Sequence, residues 1–142
     1  MSTELPDVNV LLALHLVEHQ HHQVALHWWN SAIKVLTTPV SESGFVRMLL
    51  NVHVMDGKPL TGAEALATLE DLRAQPKTTF HPDATSLANP RIRVSQLTGS
   101  GQVTDLHLLN VAVDAGAVFV TLDSKITAPL TARERKHVRI LR

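Results

Sequence analysis

Apolar positions along the chain fall into short runs whose spacing alternates between continuous and helical. Leu5 to Leu14 is nearly continuous, interrupted early by Asp7 and Asn9. It predicts a very short strand ending at Asp7 and then a buried helix. A second helix is expected from near His21, since Val24, Ala25, Trp28, Trp29 and Ala32 recur at helical spacing. The β-branched stretch Lys34 to Thr38 reads as a strand, closed by a turn at Pro39. Pro39 to His53 reads as a helix with an apolar stripe of Phe45, Met48, Leu49 and Val52. Asp56-Gly57-Lys58-Pro59 is the clearest turn. Thr61 and Glu64 form a capping box, and the helix after it should bury Leu66, Leu69 and Leu72 before Pro76 ends it.

Further along, Thr78 to Phe80 suits a short strand. Ser86 to Gln96 contains Pro90 and reads as a short turn followed by a helix or a loop. Thr98 to Gly101 is a loop. Gln102 to Ala115 is a helix, with Thr104 or a neighbour as cap and Gly116 as stop. Ala117 to Leu122 is too short and too β-branched for anything but a buried strand, and His137 to Leu141 suits a final edge strand. Strands alternating with helices predict an α/β fold, three layers α/β/α around a short, mainly parallel sheet.

Composition narrows the class. The 142 residues suit one compact domain spanning 1–142, and 44% hydrophobic residues suffice for a core. Lys plus Arg and Asp plus Glu both number 13, so bulk electrostatics alone would not hold a nucleic acid. The absence of Cys excludes disulfide scaffolds, thiol catalysis and Cys-ligated zinc. Met1 to Asp7 shows no signal pattern, and no apolar run approaches the ~20 residues of a membrane helix. A cytoplasmic enzyme or binding domain is expected, with no membrane partner.

Ligands of open parallel sheets gather outside the carboxyl ends of the strands. Asp7 follows the first strand, Glu42 the second, and Asp123 the Val118 strand, while Asp105 opens the helix feeding that strand. Four elements thus each deliver one carboxylate to one edge. Crowded carboxylates repel, and some take up protons unless a cation joins them. Their hard oxygens suit Mg2+ or Mn2+. One ion, or two about 4 Å apart, would clamp a phosphodiester and activate a water. The ordinary reading of each acid alone is a helix cap or turn former. Only their joint placement argues for chemistry.

Four blocks in order carry a resemblance across roughly Leu5 to Ile140. Leu5-Pro6-Asp7-Val8-Asn9-Val10-Leu11 resembles the opening of VapC-like PIN domains, where the Asp of D-x-N-x-L is the first metal-site acid. His22-x-x-Ala25-x-x-Trp28 is similar to the segment that follows in one branch of that family. Pro39 to Arg47 is similar to P-x-[ST]-x-x-G-F-x-R, Gln102 to Leu109 to the block holding the third acid at Asp105, and Val120 to Asp123 to T-x-D. The resemblance implies an Mg2+- or Mn2+-dependent endoribonuclease, the toxin of a type II toxin–antitoxin pair. Asp7, Asp105 and Asp123, with Glu42 as fourth, would be its metal and catalytic carboxylates. It also implies RNA as substrate, a small antitoxin protein as partner, and a homodimer. Two departures stand out: the position of Glu42 is often not acidic in the G-F-x-R branch, and Ser124-Lys125 after Asp123 supplies no second acid.

Two rival classes remain in view: a non-catalytic PIN-like module for RNA or protein contact, and a hydrolase of small phosphate esters. The second lacks its Gly-rich phosphate loop, since Gly99-Ser100-Gly101 does not join a strand to a helix in the required way. The His19-Gln20-His21-His22 cluster suits a transition metal, but a polar surface helix start is the better reading. His107 near Asp105 reads as a structural histidine before a phosphate contact. Asn9 and Thr121 suit either hydrogen bonds to metal waters or backbone capping. One of Trp28 and Trp29 belongs in the core and the other to an interface, with base stacking the less ordinary alternative. Arg47, Arg91 and Arg93 are candidate phosphate contacts whose ordinary role is solvation or ion pairing.

Overall fold

The computed structural model describes residues 2–93 and 99–142. Five parallel strands form one sheet in the order β3-β2-β1-β4-β5. They are β1 (Thr3–Pro6), β2 (Lys34–Thr37), β3 (Thr78–Phe80), β4 (Val118–Thr121) and β5 (Val138–Ile140). The helices are α1 (Val8–His15), α2 (His22–Ser31), α3 (Pro39–Leu49), α4 (Gly62–Arg73), α5 (Val103–Asp114) and α6 (Ala132–Arg135). Short 3-10 turns cover Ser100–Gln102 and Ser124–Thr127. No helix among the described residues is long and apolar enough to cross a membrane.

The sheet is covered on both faces. Leu5, Leu36 and Phe119 pack on Leu106, Leu108, Leu109 and Val111 on one side. Val10, Trp28, Ala32, Val35, Val120 and Leu141 pack on the other. This division follows from strand geometry, because neighbours along a strand point to opposite faces while paired residues share one. A further apolar cluster of Val8, Leu11, Leu12, Phe45, Leu49, Ala65 and Leu72 binds α1, α3 and α4 together. Pro6 sits in a central strand without breaking it. The β1–β2 register ends at Glu4↔Val35, and Asp7 N–H resumes the ladder to Val120 O at 2.8 Å.

Several sequence expectations shift at element ends. Helix α3 stops at Leu49, short of His53. The Asn51 side-chain oxygen accepts from His53 and Val54 N–H, offering the backbone a turn in place of another helical hydrogen bond. Val52 therefore leaves the stripe and is exposed. In α4 the buried residues are Ala65 and Leu72, whereas Leu66 is exposed. Helix α5 begins at Val103 after Gln102, so Thr104 is not its cap. Residues 86–93 form no helix or strand, and the rest of the ambiguous stretch, with Thr98, lies outside the described residues.

Trp28 is the core tryptophan. Its indole N–H donates to the buried Glu4 carboxylate at 2.7 Å, and Arg139 reaches the same oxygen at 3.3 Å. Trp29 is half-buried beneath the Lys77 ammonium, 4.8 Å from its ring centroid.

Gly44 explains part of the G-F-x-R block. A Cβ there would meet Val8 Cγ2 at 2.8 Å, so α3 crosses α1 where only hydrogen fits, directly beside Asp7. Gly→Ala in a helix interior ordinarily stabilises by about 1 kcal/mol. Here Val8 is buried and stiff, and overpacking costs about 1–3 kcal/mol. Gly44→Ala is expected to lose up to about 2 kcal/mol in urea unfolding. A gain in stability would show that α3 moves away freely.

Candidate active site

Because all five strands are parallel, their carboxyl ends share one edge. The turns leaving β1, β2 and β4 place Asp7, Glu42 and Asp123 there, and the first turn of α5 adds Asp105. Asp7 is the N-cap of α1. Its Oδ1 accepts from Val10 N–H at 2.9 Å, and its Oδ2 accepts from the Thr121 hydroxyl. The Thr121 oxygen in turn accepts from Asp123 N–H at 3.0 Å, so one buried threonine ties two of the acids together. Asp123 is exposed and caps its own turn through Lys125 N–H at 2.9 Å.

The electrostatics separate three acids from the fourth. Burial pushes the Asp7 carboxyl up, against hydrogen bonds from Thr121, Val10 and Asn9, and the Asp123 charge pushes it further. Burial, then Asp7, then Asp123 push Asp105 up to about 6. Asp7, Asp105 and Asp123 therefore lie in one another's field. Glu42 is engaged differently. It accepts from Thr37 at 2.6 Å, pairs with Arg73 at 3.3 Å, and borders a groove with Val46, Leu66, Leu69 and Phe80. Thr37 and Thr121 are both buried threonines at strand ends whose hydroxyls donate to a carboxylate: Thr37 to Glu42 in the helix that follows β2, and Thr121 across the sheet to Asp7 at the end of neighbouring β1.

Other candidates find ordinary partners. His107 pairs with Asp83, which burial pushes up but hydrogen bonds from Thr85 and His107 hold below its usual range. Arg91 pairs with Asp114 at 3.1 Å, and Arg93 lies beside Glu134. Both border a pocket with Val113, in the last turn of α5, away from Asp105 in the first. His22 is buried with its Nδ1 2.8 Å from Ala13 O, a tie between α1 and α2, while the His19 and His21 rings meet at a tilt with centroids 5.7 Å apart. Asn9 reaches Asp7 through its backbone, its side chain being exposed. Thr121, expected from sequence either to hydrogen-bond metal waters or to cap the backbone, bridges Asp7 and the Asp123 N–H. Lys125 as a neighbour of two acids is the feature that sequence reasoning did not single out, and its one available signal was its position two residues after Asp123.

Among the described residues no three His, Cys, Asp or Glu side chains are gathered as a ready-made coordination shell. The donor chemistry nonetheless fits a hard divalent cation: carboxylate oxygens only, one partly buried, one exposed, with mutual repulsion that a cation would relieve.

A five-stranded parallel sheet flanked by helices, with aspartates at its carboxyl edge, matches the architecture of a PIN-like α/β fold. Sequence comparison makes this particular. The chain is 37% identical over 136 residues to ribonuclease VapC39 of Mycobacterium tuberculosis, covering 92% of this chain and 95% of that protein. It is 34% identical over 139 residues to ribonuclease VapC38 of the same organism, covering 96% of each. Ribonuclease VapC29 matches at 34% over 123 residues, 86% of each chain. No protein-family model matches. The chain belongs to the VapC ribonuclease family.

Proposed function

We propose that this chain is a divalent-metal-dependent endoribonuclease, the toxin of a toxin–antitoxin pair, with Asp7, Asp105 and Asp123 as its metal carboxylates. The observation that carries the reading is the gathering of Asp7, Asp105 and Asp123 at the carboxyl edge of the sheet, where Thr121 ties Asp7 to the Asp123 backbone and where burial, Asp7 and Asp123 push the Asp105 carboxyl up. Such a cluster is costly to the metal-free fold and useful only when a cation fills it. A bound Mg2+ or Mn2+ would supply Lewis-acid stabilisation of the phosphodiester and a water acidic enough to attack it.

The chain's own residues do the positioning. The cap bond to Val10 N–H and the Thr121 hydroxyl fix both oxygens of Asp7, leaving lone pairs on each for a cation. Asp105, deprotonating near pH 6, is an anionic ligand at neutral pH. Asp123, on an exposed turn, faces incoming substrate. Glu42 is an outer acid of the same edge, held by Thr37 and Arg73. The partner of this reading is a small antitoxin protein, and the assembly a homodimer.

Cleavage of a single-stranded oligoribonucleotide tests the reading. The purified chain should cut in Mg2+ or Mn2+ and stop in excess EDTA, with activity restored by added metal. Cleavage undiminished by EDTA would overturn the metal assignment. Absence of cleavage under all conditions, together with RNA binding, would leave the non-catalytic module.

A further inference from the structure

A pocket opens between the start of α5 and the turn after β4, lined by Gly101, Gln102, Asp105, Asp123, Lys125 and Ile126 among others. Two of its polar residues are acids of the proposed site, and the third charged residue is a lysine. Lys125 is exposed, and among the described residues its ammonium makes no ion pair, although two carboxylates share the pocket with it. Its backbone N–H, by contrast, is fixed on Asp123 Oδ1 at 2.9 Å. The chain thus anchors the lysine's backbone beside the acids while its charge stays separate from them.

That separation has a chemical meaning. An exposed lysine gains little from pairing with a carboxylate, so its ammonium is available to an anionic ligand at the same edge. A lysine that shares the pocket with Asp105 and Asp123 without an ion pair supplies a positive charge where a phosphate would approach those acids. A polyanionic strand approaching an acidic edge on a chain of zero net charge needs such a local positive contact.

We propose that Lys125 is a substrate-binding residue that contacts a backbone phosphate of the RNA strand next to the bond held at Asp105 and Asp123. The proposal rests on the ribonuclease reading above. It assigns to the Ser124-Lys125 turn, which lacks a second acid, a different task at the same edge.

The test measures binding separately from cleavage. A single-stranded oligoribonucleotide is titrated with full-length Asp7→Asn and with Asp7→Asn/Lys125→Gln over a range of KCl, with Mg2+ present. Loss of one phosphate contact should weaken binding about three- to tenfold near 0.1 M salt. It should also reduce the log–log salt slope by about 0.7, the value for one contact on a single strand. Lys125→Arg should restore both, and Lys34→Gln, an exposed lysine at the opposite edge, should change neither. In the otherwise native chain, Lys125→Gln should raise KM more than it lowers kcat. An unchanged slope and affinity in the lysine variant, with the native chain still cutting RNA, would overturn the proposal and leave the ribonuclease reading intact. A lower metal-free melting temperature for Lys125→Gln with unchanged RNA binding would overturn it in favour of a counter-cation. A native chain that neither binds nor cuts RNA would overturn both.

Discussion

Asp7→Asn is expected to lower RNA cleavage by more than about a hundredfold while the metal-free protein melts at or above the wild-type temperature. Even partners one step removed from a metal cost about 10–100-fold in affinity or activity, and Asp7 is proposed as a direct ligand. The stability side follows from the direction of its titration. Burial raises the Asp7 carboxyl, so in the pH interval above its unfolded value the folded chain holds a proton that the unfolded chain has released. Folding is then penalised progressively as pH rises through that interval. Asn carries no charge and removes that penalty.

The local hydrogen bonds survive the exchange. The amide oxygen of Asn can still accept from Val10 N–H, because Asn caps helices as well as Asp. The amide NH2 would donate to Thr121, whose oxygen has a second lone pair beside the one taken by Asp123 N–H. If Asp7 were only a helix cap, activity would not change. Melting in EDTA and cleavage in excess Mg2+ separate the cases. Full activity in the variant would remove Asp7 from the site, and a marked drop in melting temperature would show that its buried charge is no cost to the fold.

The second large effect belongs to Asp105, whose carboxyl titrates near 6 against an ordinary value of 3.8. Between those two pH values the folded chain keeps a proton that the unfolded chain loses, so metal-free stability falls as pH rises from about 4 to about 6. Above pH 6 the cost stays constant. A shift of that size corresponds to about 3 kcal/mol at 1.36 kcal/mol per pKa unit. Asp105 is only partly buried, and screening reduces the figure to the order of 1–2 kcal/mol. Asp105→Asn should therefore match wild type near pH 4 and exceed it by about 1–2 kcal/mol near pH 7.5, both in EDTA. Comparing the two proteins at each pH cancels other titrations, including His15, which burial pushes down. A stability difference independent of pH would show that neither burial nor the other acids raise the Asp105 carboxyl. Because a cation must displace that proton, wild-type cleavage should climb about tenfold per pH unit below about 6 and then level off.

Much of the site was legible in the order of residues because its acids follow strand ends. The edge to which a turn belongs is known once the strand is known, so Asp7, Glu42 and Asp123 could be placed on one edge from β-branched runs and the residues after them. Glu42 shows the limit. Its position on the edge was readable, but its partners were not: Arg73 lies 31 residues away on α4, and only the α3–α4 packing brings the two together. The histidines show the same limit from the other side. His22 resembles its neighbours in sequence, yet it alone is buried, because α2 folds back on the end of α1 and sets its ring against Ala13 O.

Residue order alone determined the alternation of strands and helices, the caps at Thr61 and Asp7, and the division of apolar from polar faces. These depend on backbone geometry and on periods of two and 3.6, which operate over a few residues. Exceptions occur where a local side chain competes with the backbone, as Asn51 does at the end of α3. Only the tertiary structure decided which acids interact, that Thr121 bridges Asp7 and Asp123, that Gly44 must lack a Cβ, and that Lys125 opens on the pocket of Asp105. Each of these depends on distances between segments far apart in the chain, set by how the two helical layers pack on the sheet, and Coulomb and hydrogen-bond energies depend on those distances and on burial.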